Sequence, residues 1–172
     1  MGELIYVTGG ARSGKSGYAQ QLVEACPGDL LYVATAAAGD DEMAARIARH
    51  QQQRGDRWET LEEPCAVVEQ LSQAAGGKGG VLFDCVTLWL TNMMLRGDDD
   101  EAILATVRRL PQAARELSAT VVLVSNELGN GIVPDNVMAR RFRDLAGSAN
   151  QLLAAAADSA WLVVSGLPVR LK

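Results

Sequence analysis

Leu4-Ile5-Tyr6-Val7-Thr8-Gly9-Gly10-Ala11-Arg12-Ser13-Gly14-Lys15-Ser16 is the stretch that decides the fold. An apolar run ends in Gly9–Ser16, which matches G-x-x-x-x-G-K-[ST], and an amphipathic segment follows. Strand, glycine loop and helix in that order make a phosphate cradle. The glycines let backbone N–H groups turn toward phosphate oxygens. The helix that opens at the lysine points its positive dipole end at the anion. Lys15 brings a mobile cation to the β- and γ-phosphates, and Ser16 brings a hydroxyl for Mg²⁺. Arg12 adds a second cation inside the loop. Residue frequencies make such a match by chance rarer than about one chain in a hundred.

Outward from this loop, short apolar runs alternate with helical segments. Leu4–Thr8, Leu30–Thr35, Val81–Asp84, Val121–Ser125 and Trp161–Val164 read as buried strands. Ser16–Ala25, Asp41–Gln53, Pro64–Ala75, Val86–Leu95, Asp99–Ser118 and Asp135–Ala157 read as helices. That alternation predicts an α/β fold with a mainly parallel sheet, of the P-loop NTPase-like, three-layer, RecA-like kind. Ligands are then expected beyond the carboxyl ends of the strands. The acidic turn Arg96–Asp100 is expected to cap the following helix. No linker or repeat divides residues 1–172, so one domain is expected.

Composition narrows the function classes. A 172-residue chain with 48% apolar and 22% charged residues has the make-up of an ordinary globular protein. Sixteen basic against twenty-one acidic residues give a net charge of −5, which argues against a nucleic-acid backbone as partner. Cys26, Cys65 and Cys85 have no paired spacing, so buried free thiols in a reducing cytoplasm are expected rather than disulfides or zinc. No apolar run approaches about 20 residues, so no membrane span is expected.

A phosphate loop needs an acidic partner on a nearby strand. Asp84 ends the run Val81-Leu82-Phe83 and is the candidate to hold Mg²⁺ with Ser16. Glu127 follows another strand at the same predicted edge. His50 is the single histidine. Arg46 and Arg54, four residues to either side, share its helix face. Like charge disfavours imidazolium, so His50 is expected to be neutral and nucleophilic beside cations that attract phosphate. Spacing alone leaves a surface histidine on a basic helix as the alternative.

More than the loop is informative. Val7–Ser16, Tyr32–Thr35, Asp40–Ile47, His50 with Arg54, Trp58–Glu62, Asp84–Asn92, Ser125–Gly129, Gly131–Pro134, Arg141–Asp144 and Val163–Gly166 together resemble one family. It is the bifunctional adenosylcobinamide kinase / adenosylcobinamide-phosphate guanylyltransferase family of cobalamin biosynthesis. The resemblance implies two reactions. ATP or GTP phosphorylates adenosylcobinamide. GTP then guanylylates a histidine, and GMP passes to adenosylcobinamide phosphate to give adenosylcobinamide-GDP.

The family's guanylylated histidine falls on His50. Its nucleotide contacts fall on Gly9, Gly10, Ala11, Arg12, Ser13, Gly14, Lys15 and Ser16, on Ala34, Thr35 and Ala36, on Gln51, Gln52, Gln53 and Arg54, and on Glu62 and Asp84. Lys15 joins His50 as a catalytic residue, and Ser16 and Asp84 as metal ligands. The resemblance also implies a homotrimer. Two positions depart from the pattern: Ala36 replaces a small hydroxyl residue, and Asn130 replaces a larger apolar one. Two other readings compete: a P-loop small-molecule kinase without a covalent step, and a regulatory nucleotide-binding module.

Overall fold

The computed structural model describes residues 2–36 and 55–172. The strands are β1 (Leu4–Gly9), β2 (Leu30–Ala34), β3 (Trp58–Glu62), β4 (Gly80–Asp84), β5 (Thr120–Asn126), β6 (Ser159–Val164) and β7 (Leu167–Arg170). The helices among the described residues are α1 (Lys15–Glu24), α2 (Val67–Ala74), α3 (Val86–Arg96), α4 (Asp100–Arg115) and α5 (Val137–Ala156). The strands form one sheet in the order β3-β2-β4-β5-β1-β6-β7. Every neighbouring pair is parallel except β6 with β7.

Helices cover both faces of the sheet, as the strand–helix alternation predicts. On one face, Ala19 and Val23 of α1 pack on Ile5, Val7, Leu30, Leu82, Val122, Val124 and Val163. On the other, α2 to α5 bury the larger core, in which Trp89, Leu90, Met93, Ile103, Val107, Leu110 and Leu153 are inaccessible to water. Burial of both faces is why the central strands read as unbroken apolar runs.

Local chemistry sets the element ends. Asp99 caps α4, its carboxylate accepting the Ala102 N–H at 2.8 Å, as the acidic turn predicts. Gly97 ends α3 in the left-handed region. α2 starts later than Pro64, because Glu63 turns the chain first by accepting the N–H groups of Cys65 and Ala66. The expected helix Asp41–Gln53 lies outside the described residues. No helix among the described residues is long and apolar enough to cross a membrane.

Two strands were not anticipated. β3 (Trp-Glu-Thr-Leu-Glu) is a half-exposed edge strand with too few apolar residues to show a run. β7 is four exposed residues including Pro168. It returns from β6 through Ser165 and Gly166, both at positive φ, a pair that suits a two-residue hairpin turn.

Candidate active site

The phosphate loop connects β1 to α1 at the carboxyl edge of the sheet. Gly14 sits at φ +94, immediately before the first helical residue, Lys15. A side chain there meets Gly166 Cα at 3.1 Å. The β6–β7 turn therefore braces the loop, and the Gly166 N–H also donates to Ser13 C=O at 2.7 Å. At Gly9 a Cβ falls 2.5 Å from both Val163 O and Ser13 Oγ, so nothing larger fits.

Lys15 is buried, and its ammonium reaches across the loop to Gly10 C=O at 3.1 Å. Ser13 Oγ is buried without a hydrogen-bond partner. A buried hydroxyl left unsatisfied is costly, and a phosphate oxygen is the partner this cradle fits. Arg12 lies exposed at φ +56, and Ala11 and Gly10 are exposed beside it.

The strand register aligns the other candidates. Glu62, Ala34 and Asp84 pair across β3, β2 and β4 at the carboxyl edge. Thr35 follows, fully buried, its hydroxyl donating to Cys85 C=O at 3.0 Å. Ala36 is half-buried. Asp84 C=O accepts from the Tyr32 hydroxyl at 3.2 Å. β5 lies between β4 and β1, and the Glu127 N–H after it donates to Gly9 C=O at 3.0 Å. Glu127 is thus tied to the entry of the phosphate loop. His50, Gln51, Gln52, Gln53 and Arg54 lie outside the described residues.

Cys85 sits where both halves of the edge meet. Burial pushes its thiol up, helped by the Asp84 carboxylate, and Thr87, Leu88 and the nearby Lys15 ammonium only partly oppose it. A thiol held protonated is a poor nucleophile at neutral pH. All three cysteines are free, and each is half-buried rather than buried.

Mg²⁺ binds through one or two protein oxygens with the rest from water and phosphate. Among the described residues there is no cluster of three histidine, cysteine or carboxylate groups, and Mg²⁺ beside a triphosphate needs none. The hydroxyl of Ser16 and the carboxylate of Asp84 are hard oxygen donors of the kind it takes.

A phosphate loop and a strand-end carboxylate at one sheet edge are common to many enzymes, so the whole chain must decide between them. Residues 5–171 match the profile described as cobinamide kinase / cobinamide phosphate guanyltransferase. The chain belongs to this family. The Escherichia coli (strain K12) bifunctional adenosylcobalamin biosynthesis protein CobU is 45% identical over 184 aligned positions, covering 98% of this chain and 99% of that protein. Its Salmonella typhimurium counterpart is 44% identical, again over 98% of this chain and 99% of its own length. The Pseudomonas aeruginosa protein CobP is 42% identical, with 96% and 95% covered. The resemblance carried by the motifs is therefore a full-length one, and the cobinamide kinase / guanyltransferase family is a family of bifunctional enzymes. The plain regulatory module is set aside.

The sequence motifs missed several groups at this edge. Asn92 donates to Thr35 C=O at 2.7 Å and Pro64 C=O at 2.9 Å. Asn126 donates to Thr87 Oγ1 at 2.8 Å. Gly166 supports the loop from the far end of the chain. Asn92, Asn126 and Gly166 fall inside blocks that carry the family resemblance. Nothing in local sequence assigns them these contacts.

Proposed function

We propose that this chain, as a single domain over residues 1–172, carries out both reactions of its family around one triphosphate anchor. The full-length match combined with the intact Gly9–Ser16 cradle carries this reading.

In the kinase reaction the aminopropanol hydroxyl oxygen of adenosylcobinamide attacks the γ-phosphorus of ATP or GTP. The bond from that phosphorus to the β-bridging oxygen breaks, the nucleoside diphosphate leaves, and the hydroxyl proton goes to solvent. Lys15 neutralises charge on the β- and γ-phosphates, and the loop N–H groups hold them in line. Ser16 and Asp84 hold Mg²⁺, which when bound offsets triphosphate charge.

In the transferase reaction a ring nitrogen of His50 attacks the α-phosphorus of GTP, and the bond to pyrophosphate breaks. A phosphate oxygen of adenosylcobinamide phosphate then attacks the guanylyl phosphorus, the phosphorus–nitrogen bond breaks, and the imidazole is freed. Two in-line displacements let pyrophosphate leave before the corrinoid arrives. Arg46 and Arg54 stand four residues to either side of His50 in the sequence, cations of the kind that attract a triphosphate. Ala34, Thr35, Ala36, Gln51, Gln52, Gln53, Arg54 and Glu62 complete the nucleotide contacts.

A homotrimer in the cytoplasm is part of this reading. Asn150, Leu153 and Ala157, in the last turns of α5 and just past its end, are buried within the chain itself, so that face is not the interface. Ile132, Val133, Val137 and Met138 are large, exposed and close in sequence, which supports assembly through this segment.

The deciding experiment incubates the protein with GTP labelled at the α-phosphorus. Acid-labile, base-stable label on the chain, absent in His50→Asn, is expected. If the chain takes no label at saturating GTP yet phosphorylates cobinamide, a plain kinase replaces the covalent mechanism.

A further inference from the structure

Asn150 stands where the pattern of its helix calls for an apolar residue. Leu145, Ala146, Ala149 and Leu153 of α5 are buried against the sheet, and Asn150 lies in the same stripe at 9% exposure. A leucine there adds apolar contact, whereas a buried carboxamide is tolerated only when its hydrogen bonds are made. They are made to one short segment. Asn150 Oδ1 accepts from Ser125 Oγ at 2.6 Å, and Asn150 Nδ2 donates to Asn126 C=O at 3.0 Å. These are the last two residues of β5.

The connection continues toward the site. Asn126 Nδ2 donates to Thr87 Oγ1 at 2.8 Å. Thr87 Oγ1 lies 3.0 Å from Cys85 Sγ, the residue after Asp84. In the other direction, Glu127 follows Asn126 and its N–H is bonded to Gly9 C=O. One buried amide on α5 therefore reaches the end of the strand between the phosphate loop and Asp84, and through it the ends of both neighbours.

We infer that Asn150 is a positioning residue for phosphoryl transfer: its carboxamide fixes the end of β5 and, through Asn126 and Thr87, sets the Asp84 carboxylate against the phosphate loop. The inference rests on the reading that Asp84 serves the Mg²⁺ of the nucleotide. Both ends of the Asn150 carboxamide are bonded to β5, so it acts through the strand end. Its loss acts on the rate and on the metal requirement rather than on grip of the triphosphate, which the loop holds by its own backbone.

The test uses the full chain with ATP, cobinamide and a titration of free Mg²⁺. Asn150→Leu is close in volume and removes both hydrogen bonds. Its kcat for cobinamide phosphorylation is expected to fall about 10–100-fold, as for residues that orient metal ligands, with a several-fold rise in half-saturating Mg²⁺. KM for ATP is expected to stay within about threefold. Thr87→Val is expected to move both quantities the same way, and Thr87→Ser to recover most of the loss. A lower melting temperature with kcat and Mg²⁺ requirement unchanged overturns the inference, and so does a KM rise as large as the kcat fall. Should Asn150→Leu fail to fold, the Thr87 pair decides: parent-like kinetics in Thr87→Val overturn it. Asp84→Asn, run alongside, tests the underlying reading. An unchanged Mg²⁺ requirement there refutes the role of Asp84. A changed requirement there, with parent-like kinetics in Asn150→Leu, refutes the inference alone.

Discussion

The two halves of the nucleotide edge are built differently. The phosphate loop is held mainly by itself: Ser13, Lys15 and Tyr18 bond to Gly10 or Gly14, three to five positions away. The half around Asp84 is held by distant partners. Tyr32, Thr35, Thr87, Asn92, Asn126 and Asn150 link positions 24 to 57 apart to fix the ends of β2, β4 and β5. A loop that closes on its own neighbours leaves a motif. A strand edge assembled from separate segments leaves only single polar residues in apolar surroundings.

The largest effect is expected at Lys15. Lys15→Ala is expected to lower both cobinamide phosphorylation and GTP-dependent labelling by about 10²–10³-fold, since one cation serves both triphosphate reactions. Steady-state kinase assays and label counting check it. Full labelling with lost kinase activity would mean that the two reactions do not share the loop.

A smaller effect probes a long-range support of the loop, the turn at Gly166. Gly14→Ala must place a Cβ at φ +94 and 3.1 Å from Gly166 Cα. A cost of roughly 1–2 kcal/mol for that backbone region lowers the melting temperature by about 2–8 °C. Gly147→Ala, within α5 and facing open space, is the opposite control. It is expected to raise stability by about 0.5–1 kcal/mol. Calorimetry on both variants reads the sign difference.

The smallest effect lies far from the site. Asp158 accepts from the Leu4 N–H at 2.8 Å and pairs with Arg115 at 3.1 Å, joining the start of β1 to the approach to β6. The Leu4 N–H first, then Arg115, holds its carboxyl below the usual range. A carboxyl depressed on folding stabilises above its unfolded value of roughly 3.9, and that contribution is lost as pH falls through the folded value. Asp158→Asn is therefore expected to cost about 1–3 °C at pH 7, with the gap narrowing below about pH 4. Melting curves across that range check it, and a pH-independent gap would exclude the charge as the cause.

Sequence reading was strongest where structure is local or doubly buried. β1, β2, β4, β5 and β6 are apolar runs because both faces of each are covered, and Asp99 announces its helix by capping it. β3 and β7 escaped because edge strands bury little and show no run. Glu127 was legible as a carboxylate at the edge, though not as the neighbour of Gly9.

By itself the sequence determined the α/β class, the strand–glycine loop–helix unit at Gly9–Ser16 and the family, because these depend on contiguous residues with fixed chemistry. Only the tertiary structure decided that β5 lies between the cradle and Asp84, that Gly166 braces Gly14, and that Asn150 holds the strand end between them. Strand order and buried hydrogen bonds join residues with no local sequence relation. Their energy comes from burial that exists only once the sheet and its helices are assembled.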